Sequence, residues 1–263
     1  MQVQVKFFAI FREAVGMKTD APSIAENTTV EALWTHYTSR HPKLQNFRTA
    51  YAVNQKLETA DYVLQDGDEV GFLPPVSGGQ VKSKKLKAKS ETRRPKTTRK
   101  IRVDSRHSRI NKNAVVTRKP LNTDALIKRV AFPGAGAIIT FIGVVRDNSR
   151  GKAVRYLEYE AYPEMAEQIL RDLIAEIHER WSDVRVAIAH RIGKIKIGQA
   201  SLVIAVAAPH RPEAYQASRY TLERIKAILP VWKKEFATDG ESWVEGPVAG
   251  EISASHAEAI ARG

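Results

Sequence analysis

The sequence predicts an α+β protein made of two folded units joined by a basic linker. Three observations carry that prediction. Runs of period-2 alternation and of i, i+3, i+4, i+7 spacing follow one another in both halves of the chain. Between Gln80 and Lys119, sixteen Lys and Arg residues stand against only Glu91 and Asp104. The remainder holds 26 basic and 27 acidic residues, so the formal net charge of +13 belongs to a segment rather than to a folded surface. Residues 80–113 are expected to be a disordered linker, because like charges repel and there is little apolar surface to bury. A chain of 263 residues leaves room for a core on either side of it.

In the first unit, residues 1–79, Val3, Val5 and Phe7 alternate with Gln2, Gln4 and Lys6, the pattern of a half-buried strand. Gly16 marks a turn and "APSIAE" a short second strand. "TTVEALWTHYTSRHP" reads as a helix capped by Thr28 or Thr29, with Val30, Leu33, Trp34 and Tyr37 on one face and Pro42 at its end. "YAVNQK" reads as a strand, and "QDGDEVGFLPP" as an Asp-Gly turn followed by another. Two strands, a helix and two strands is the order of a ubiquitin-like β-grasp.

The second unit, residues 114–247, opens with the strand "AVVTRKPL" and a short helix "NTDALIKRVA" capped by Asn122 or Thr123. "GAGAIITFIGVVR" is so continuously apolar that a strand buried on both faces is expected. "VRYLEYEAY" alternates. "PEMAEQILRDLIAEIHERW" starts with Pro163 and places Met165, Ile169, Leu173 and Ile177 on one stripe. Strands "VRVAIAHRIG" and "ASLVIAVAAP" precede the helix "RPEAYQASRYTLERIKAILP", which Pro230 stops. Residues 248–263 read as a tail.

Composition removes several function classes. With no cysteine in the chain, neither a disulfide framework nor a thiolate metal site exists, and any sulfur chemistry proceeds without a thiol of its own. There is no cluster of metal-ligand spacing, so no metal and no cofactor are expected. The absence of an eighteen-residue apolar run argues against a membrane span, and "MQVQVKFFAIF" lacks the features of a secretory leader; a cytoplasmic location is expected. The basic segment leaves a second class open, an intact regulator or a binder of RNA or an acidic partner. The segment has no aromatic residue to stack on bases, so nucleic acid is not the expected partner.

"FLPPVSGG" at Phe72–Gly79 looks like a chain terminus placed inside a chain. A Gly-Gly pair alone is a hinge. In context, with "VNQK" and "DGDEV" before it, residues 1–79 resemble the small subunit of molybdopterin synthase, a ubiquitin-like sulfur carrier. "FIGVVRD", "YLEYEAY", "AHRIG", "AAPHRPEAY", "LERIKAILPVWKKE" and "SWVEG" resemble the large, catalytic subunit of the same synthase, over roughly residues 114–245. The chain therefore looks like a fusion of the two, its second unit an α/β hammerhead-type domain.

Lys226 stands in the last turn of a helix, where lysines commonly serve the helix dipole. Lys233, Lys234 and Trp232 follow closely, and crowded cations are expected to lower one another's pKa values. The resemblance makes Lys226 the catalytic lysine and Lys233 its support, with Lys234 and Glu235 in the same substrate-contacting segment. It also assigns substrate contacts to Phe141, Val144, Val145 and Arg146, and to the pair His210 and Arg211. The implied substrate is cyclic pyranopterin monophosphate, whose phosphate suits Arg and Lys. His190 and Arg191 read as structural. Two departures stand out: Pro247 where the family carries an arginine, and Val144 where it often has a lysine.

In the carrier family the terminal glycine is adenylated by an E1-like partner and converted to a thiocarboxylate with sulfur from a donor. Gly79 is bonded to Gln80 and has no free carboxylate. Cleavage after Gly78–Gly79 by a Gly-Gly-specific peptidase is the expected remedy, followed by two sulfur transfers that build a dithiolene. A homodimer through the catalytic unit is implied as well.

Overall fold

The computed structural model describes residues 1–75, 112–149 and 151–244. The Gly78–Gly79–Gln80 site, most of the linker, Pro247 and the tail lie outside the described residues.

The first unit is a five-stranded sheet under one main helix. Strands β1 (Gln4–Phe7), β2 (Thr19–Asp20), β3 (Ala50–Val53), β4 (Lys56–Glu58) and β5 (Glu69–Leu73) lie in the order β2-β1-β5-β3-β4. The central pair β1 and β5 run parallel, with Val5 opposite Val70. Helix α1 (Ala9–Val15) follows β1, and helix α2 (Val30–Arg40) is capped by Thr29, whose side chain accepts from the Ala32 N–H at 3.2 Å. Val30, Leu33, Trp34 and Tyr37 are buried on Phe7, Phe11 and Phe72, as their spacing requires.

Three expectations need correction here. The second strand is Thr19–Asp20, with Ser23 in "APSIAE" making only an isolated bridge to Gln2. Helix α1 was hidden because "FFAIFREAV" continues the apolar run of β1. "YAVNQK" is not one strand but a hairpin. Asn54 and Gln55 both adopt positive φ, 49° and 67°, the signature of a tight two-residue turn without the usual glycine.

The second unit has two sheets. Strands β6 (Ala114–Thr117), β7 (Ala137–Val144), β10 (Arg185–Arg191) and β12 (Ala200–Ala208) form one, ordered β6-β10-β12-β7. Strands β8 (Asn148–Ser149), β9 (Lys152–Ala161), β11 (Gly193–Lys196), β13 (Val231–Ala237) and β14 (Gly240–Val244) form the other, ordered β11-β9-β13-β14 with β8 on β9. Helix α3 (Thr123–Val130) packs on one face of β10 and β12, burying Leu126 and Val130 against Ala187, Ala189, Val203 and Ala205. Helices α4 (Pro163–Arg180) and α5 (Arg211–Ile228) cover the opposite face, against Val186, Ile188, Ile204 and Val206. Successive residues of the central strands thus feed opposite cores.

Strand β7 was expected to be buried on both faces, and it is not. It is the sheet edge, beyond the reach of α3, so Ile138, Ile142 and Val144 are 38%, 45% and 51% exposed. The chain reaches β7 past Gly136, where a Cβ would sit 2.3 Å from the Pro209 carbonyl oxygen. The stripe foreseen on α4 also divides. Met165 and the half-buried Ile169 turn toward the first unit, whereas Leu170, Leu173, Ile174 and Ile177 enter the main core.

The two units meet through aromatic rings. Phe8 lies stacked between Tyr162 and Trp232, with ring centroids 4.9 and 5.2 Å away. Ala9, Ala52, Leu73 and Met165 complete this buried cluster. The Trp232 indole N–H donates to the Pro74 carbonyl at 3.1 Å. Around the rim Arg12 pairs with Glu160 at 3.0 Å, Lys234 with Glu13 at 2.8 Å, and the Tyr162 hydroxyl donates to Glu69.

Two predictions follow from this packing. Truncating Phe8 to alanine removes the ring between Tyr162 and Trp232, a loss of about 3–5 kcal/mol for a fully buried Phe. Small-angle scattering of Phe8→Ala should show a larger radius of gyration than the parent chain, and an unchanged profile would contradict the docked arrangement. The second concerns His190, which is 7% exposed and whose pKa burial lowers from 6.5 to about 4. The unfolded chain binds a proton there that the folded chain refuses. Its contribution is therefore complete above pH ~6.5 and falls by about 3 kcal/mol as pH drops toward 4. Urea melts of His190→Gln should lose that part of the parent's acid slope; identical slopes would contradict it.

Candidate active site

A cavity of about 630 Å³ lies in the second unit between β7, the C-terminal end of α5 and the start of β13. Each wall follows from the local fold. Pro230 ends α5 just after Lys226, and β13 turns back at once, so Lys226 and Lys233 reach the same space from two elements. Phe141, Val144 and Arg146 line it from β7 and the residues after it. Apolar walls come from Leu202, Leu222, Ile225, Leu229 and Val231.

Lys226 is exposed to the cavity at the helix C-terminus. Lys233 is half-buried and pairs with Glu235 at 3.1 Å, while Glu235 accepts from the Ser149 hydroxyl at 3.0 Å. Glu235 is thus a positioning residue for Lys233 rather than part of the cavity wall.

Lys234 is not with the other lysines. Residues alternate across a strand, so Lys234 leaves the far side of β13 from Lys233 and joins Glu13 and Glu241. Burial works to lower its pKa, and the bonds to the two carboxylates outweigh this, leaving it above the ordinary lysine value. The lowering expected from crowded cations is reversed there. Lys234 ties the two units together and has no place in the cavity.

Val145 also differs from expectation. It is 2% exposed and packs with Val154, Leu157 and Ile195 behind the wall. His210 and Arg211 are exposed at the N-terminal end of α5, about 22 Å from Lys226 along an eighteen-residue helix. Within one chain they do not meet the cavity.

Three lining groups were missed from sequence: His190, Tyr159 and Ser201. The Ser201 hydroxyl donates to the Gly143 carbonyl at 3.1 Å. Burial holds the Tyr159 phenol above its ordinary pKa, against a hydrogen-bonding interaction with Ser201. Tyr159 meets the His190 ring edge-on, centroids 5.3 Å apart. A signal for His190 was present, since it continues the Val186, Ile188 stripe of β10, where a polar residue needs a reason to be.

A small apolar niche lies at the junction, lined among the described residues by Ala9, Pro74, Pro75, Trp232 and Trp243 together with Val244. Val244 also lines the large cavity, so the chain leaving β5 at Pro75 comes out beside it.

Known proteins match both units. The MoaE protein family matches residues 116–228 and the ThiS family residues 5–79. The molybdopterin synthase catalytic subunit of Halalkalibacterium halodurans is 52% identical over 134 residues, which cover 51% of this chain and 86% of that protein. The corresponding subunit of Bacillus subtilis is 53% identical over 129 residues, covering 49% and 82%. A crystal structure of molybdopterin synthase from Staphylococcus aureus matches at 41% identity and a TM-score of 0.48, over 49% of this chain and 93% of that one. The chain belongs to the molybdopterin synthase catalytic subunit family, sulfur-transferring enzymes of molybdenum cofactor biosynthesis, and carries a ThiS-family domain ahead of it in the same polypeptide.

Proposed function

We propose that the 630 Å³ cavity binds cyclic pyranopterin monophosphate and receives sulfur from a thiocarboxylate on Gly79. One observation carries this reading: two lysines from different elements converge on a cavity whose wall residue Val244 also flanks the carrier chain at Pro75. The four residues from Val76 to Gly79 span up to about 14 Å when extended, and the two glycines have no Cβ to obstruct a narrow approach.

Arg146, Lys226 and Lys233 supply positive charge for the phosphate. The thiocarboxylate sulfur attacks an oxygen-bearing carbon of the precursor, forming the C–S bond as that carbon's C–O bond breaks and the departing oxygen takes a proton from Lys226, while the acyl carbon of Gly79 stays linked through the sulfur. Water then cleaves that acyl link, and a second loaded tail brings the second sulfur. Lys226 holds and moves the proton at the reacting centre, and Lys233, fixed by Glu235, stabilises developing negative charge.

An amide at Gly79 has no carboxylate to activate, so the Gly79–Gln80 bond is cut first by a peptidase that accepts Gly-Gly ends. An E1-like enzyme and a sulfur donor then load the tail. These steps and the small-molecule substrate point to the cytoplasm. Two copies associate through their catalytic units. The uncovered edge strand β7, with Ile138, Ile142 and Val144 exposed, offers an apolar contact. A second copy also gives His210 and Arg211, remote from their own cavity, a cavity to serve.

The experiment combines residues 1–79, thiocarboxylated at Gly79, with residues 80–263 and follows conversion of the precursor. The severed pair should convert it and the uncut chain should not. Lys226→Ala should lower the rate at least a hundredfold. Equal rates with alanine would remove Lys226 from catalysis, and turnover by the uncut chain would remove the cleavage step.

A further inference from the structure

We propose that His190 reads the heterocyclic end of the substrate, its Nε2 accepting a hydrogen bond from a ring N–H at the floor of the cavity. This rests on the cavity being the site of the pterin precursor, and it adds a specificity-determining residue to that site.

The tautomer is set by the backbone. His190 Nδ1 lies 3.0 Å from the Arg191 carbonyl oxygen. A carbonyl only accepts, so Nδ1 carries the hydrogen and Nε2 keeps its lone pair. Nε2 has no hydrogen-bond partner among the described residues, yet it is not one of the buried polar atoms sealed off without one. The ring lines the cavity, and the cavity is where that lone pair finds a partner. The residue as a whole is only 7% exposed, so a donor that reaches Nε2 comes from the cavity.

Its surroundings keep it an acceptor. Tyr159 packs edge-on against the ring, Ser201 is engaged with the Gly143 carbonyl, and the neighbouring wall residues Leu202 and Ile225 are apolar. Burial depresses the imidazole pKa to about 4, so the ring is neutral at physiological pH. The position is rigid as well: His190 sits on the central strand β10, paired with Leu202 of β12 and Val116 of β6.

The cavity thereby separates two tasks. Arg146, Lys226 and Lys233 are donors only and suit an anion. In their charged forms none of them accepts a hydrogen bond from an aminopyrimidinone ring, whose edge is rich in N–H groups. His190 is a charge-free acceptor in the same space, with Tyr159 and Ser201 beside it engaged with each other and with the Gly143 carbonyl. A site that pairs a substrate N–H discriminates against analogues far more sharply than an apolar pocket does.

Calorimetry on the full chain tests this with two probes, cyclic pyranopterin monophosphate and inorganic phosphate. His190→Leu should weaken the precursor about tenfold or more while leaving phosphate affinity unchanged. His190→Gln, whose amide oxygen can accept at a similar reach, should recover the precursor affinity to within about threefold. Should the leucine variant not melt cooperatively, His190→Phe keeps the ring volume and takes its place. Precursor affinity that survives in the apolar variant overturns the proposal and leaves the site reading intact. Equal losses with leucine and glutamine, or a parallel loss of phosphate binding, reduce His190 to a structural role and overturn it too. A parent chain that binds phosphate but not the precursor overturns the site reading and this inference together.

Discussion

The stack of Phe8 between Tyr162 and Trp232 is the constraint on which the arrangement of the molecule depends. It joins two units that each have a core of their own. Aromatic pairs of this kind add roughly 0.5–1.5 kcal/mol beyond the area they bury. Geometry matters more than that increment. The Trp232 indole also holds the Pro74 carbonyl, which fixes where the carrier chain leaves its last strand. Arg12, Glu13, Glu160 and Lys234 surround the rings with opposite charges, setting the orientation of the contact more than its strength.

The fusion changes the thermodynamics of that contact. Two separate subunits associate with a concentration-dependent free energy, whereas a tether of some 35 residues makes the encounter intramolecular. Severing the Gly79–Gln80 bond would remove the tether and leave the ring stack as the link between the halves. The same bond that keeps the carrier close also keeps its terminal carbonyl in an unreactive amide. Sulfur transfer and tethering are therefore alternatives within one molecule.

Much of the fold was legible because its elements obey simple periods. Of the cap pairs Thr28 or Thr29 and Asn122 or Thr123, the structure uses Thr29 and Asn122, and Pro163 and Pro230 stand at the helix ends where the sequence puts them. The misreadings have a common cause, since one-dimensional patterns do not report neighbours. Strand β7 is apolar enough for a central position and stands at an edge. Asn54 and Gln55 turn a hairpin without glycine because Asn54 is held by Asp68 and by the Glu69 N–H. Lys226, Lys233, Phe141, Val144 and Arg146 line one cavity, while strand alternation sends Lys234 to the other unit and Val145 into the core. His190 reads as structural in the sequence because a histidine in an apolar stripe looks like core, and the structure places it on the cavity wall.

The account stands on the carrier tail entering the cavity beside Val244. A photoreactive benzoylphenylalanine in place of Ser77, irradiated in the intact chain, tests it most directly, because it attaches to whatever lies within a few ångströms. Peptide mapping should place the adducts on Phe141, Lys226, Leu229 or their neighbours in the wall. Adducts confined to other surfaces, or none within the catalytic unit, would show that the tail goes elsewhere and that the cavity is not where the sulfur is delivered.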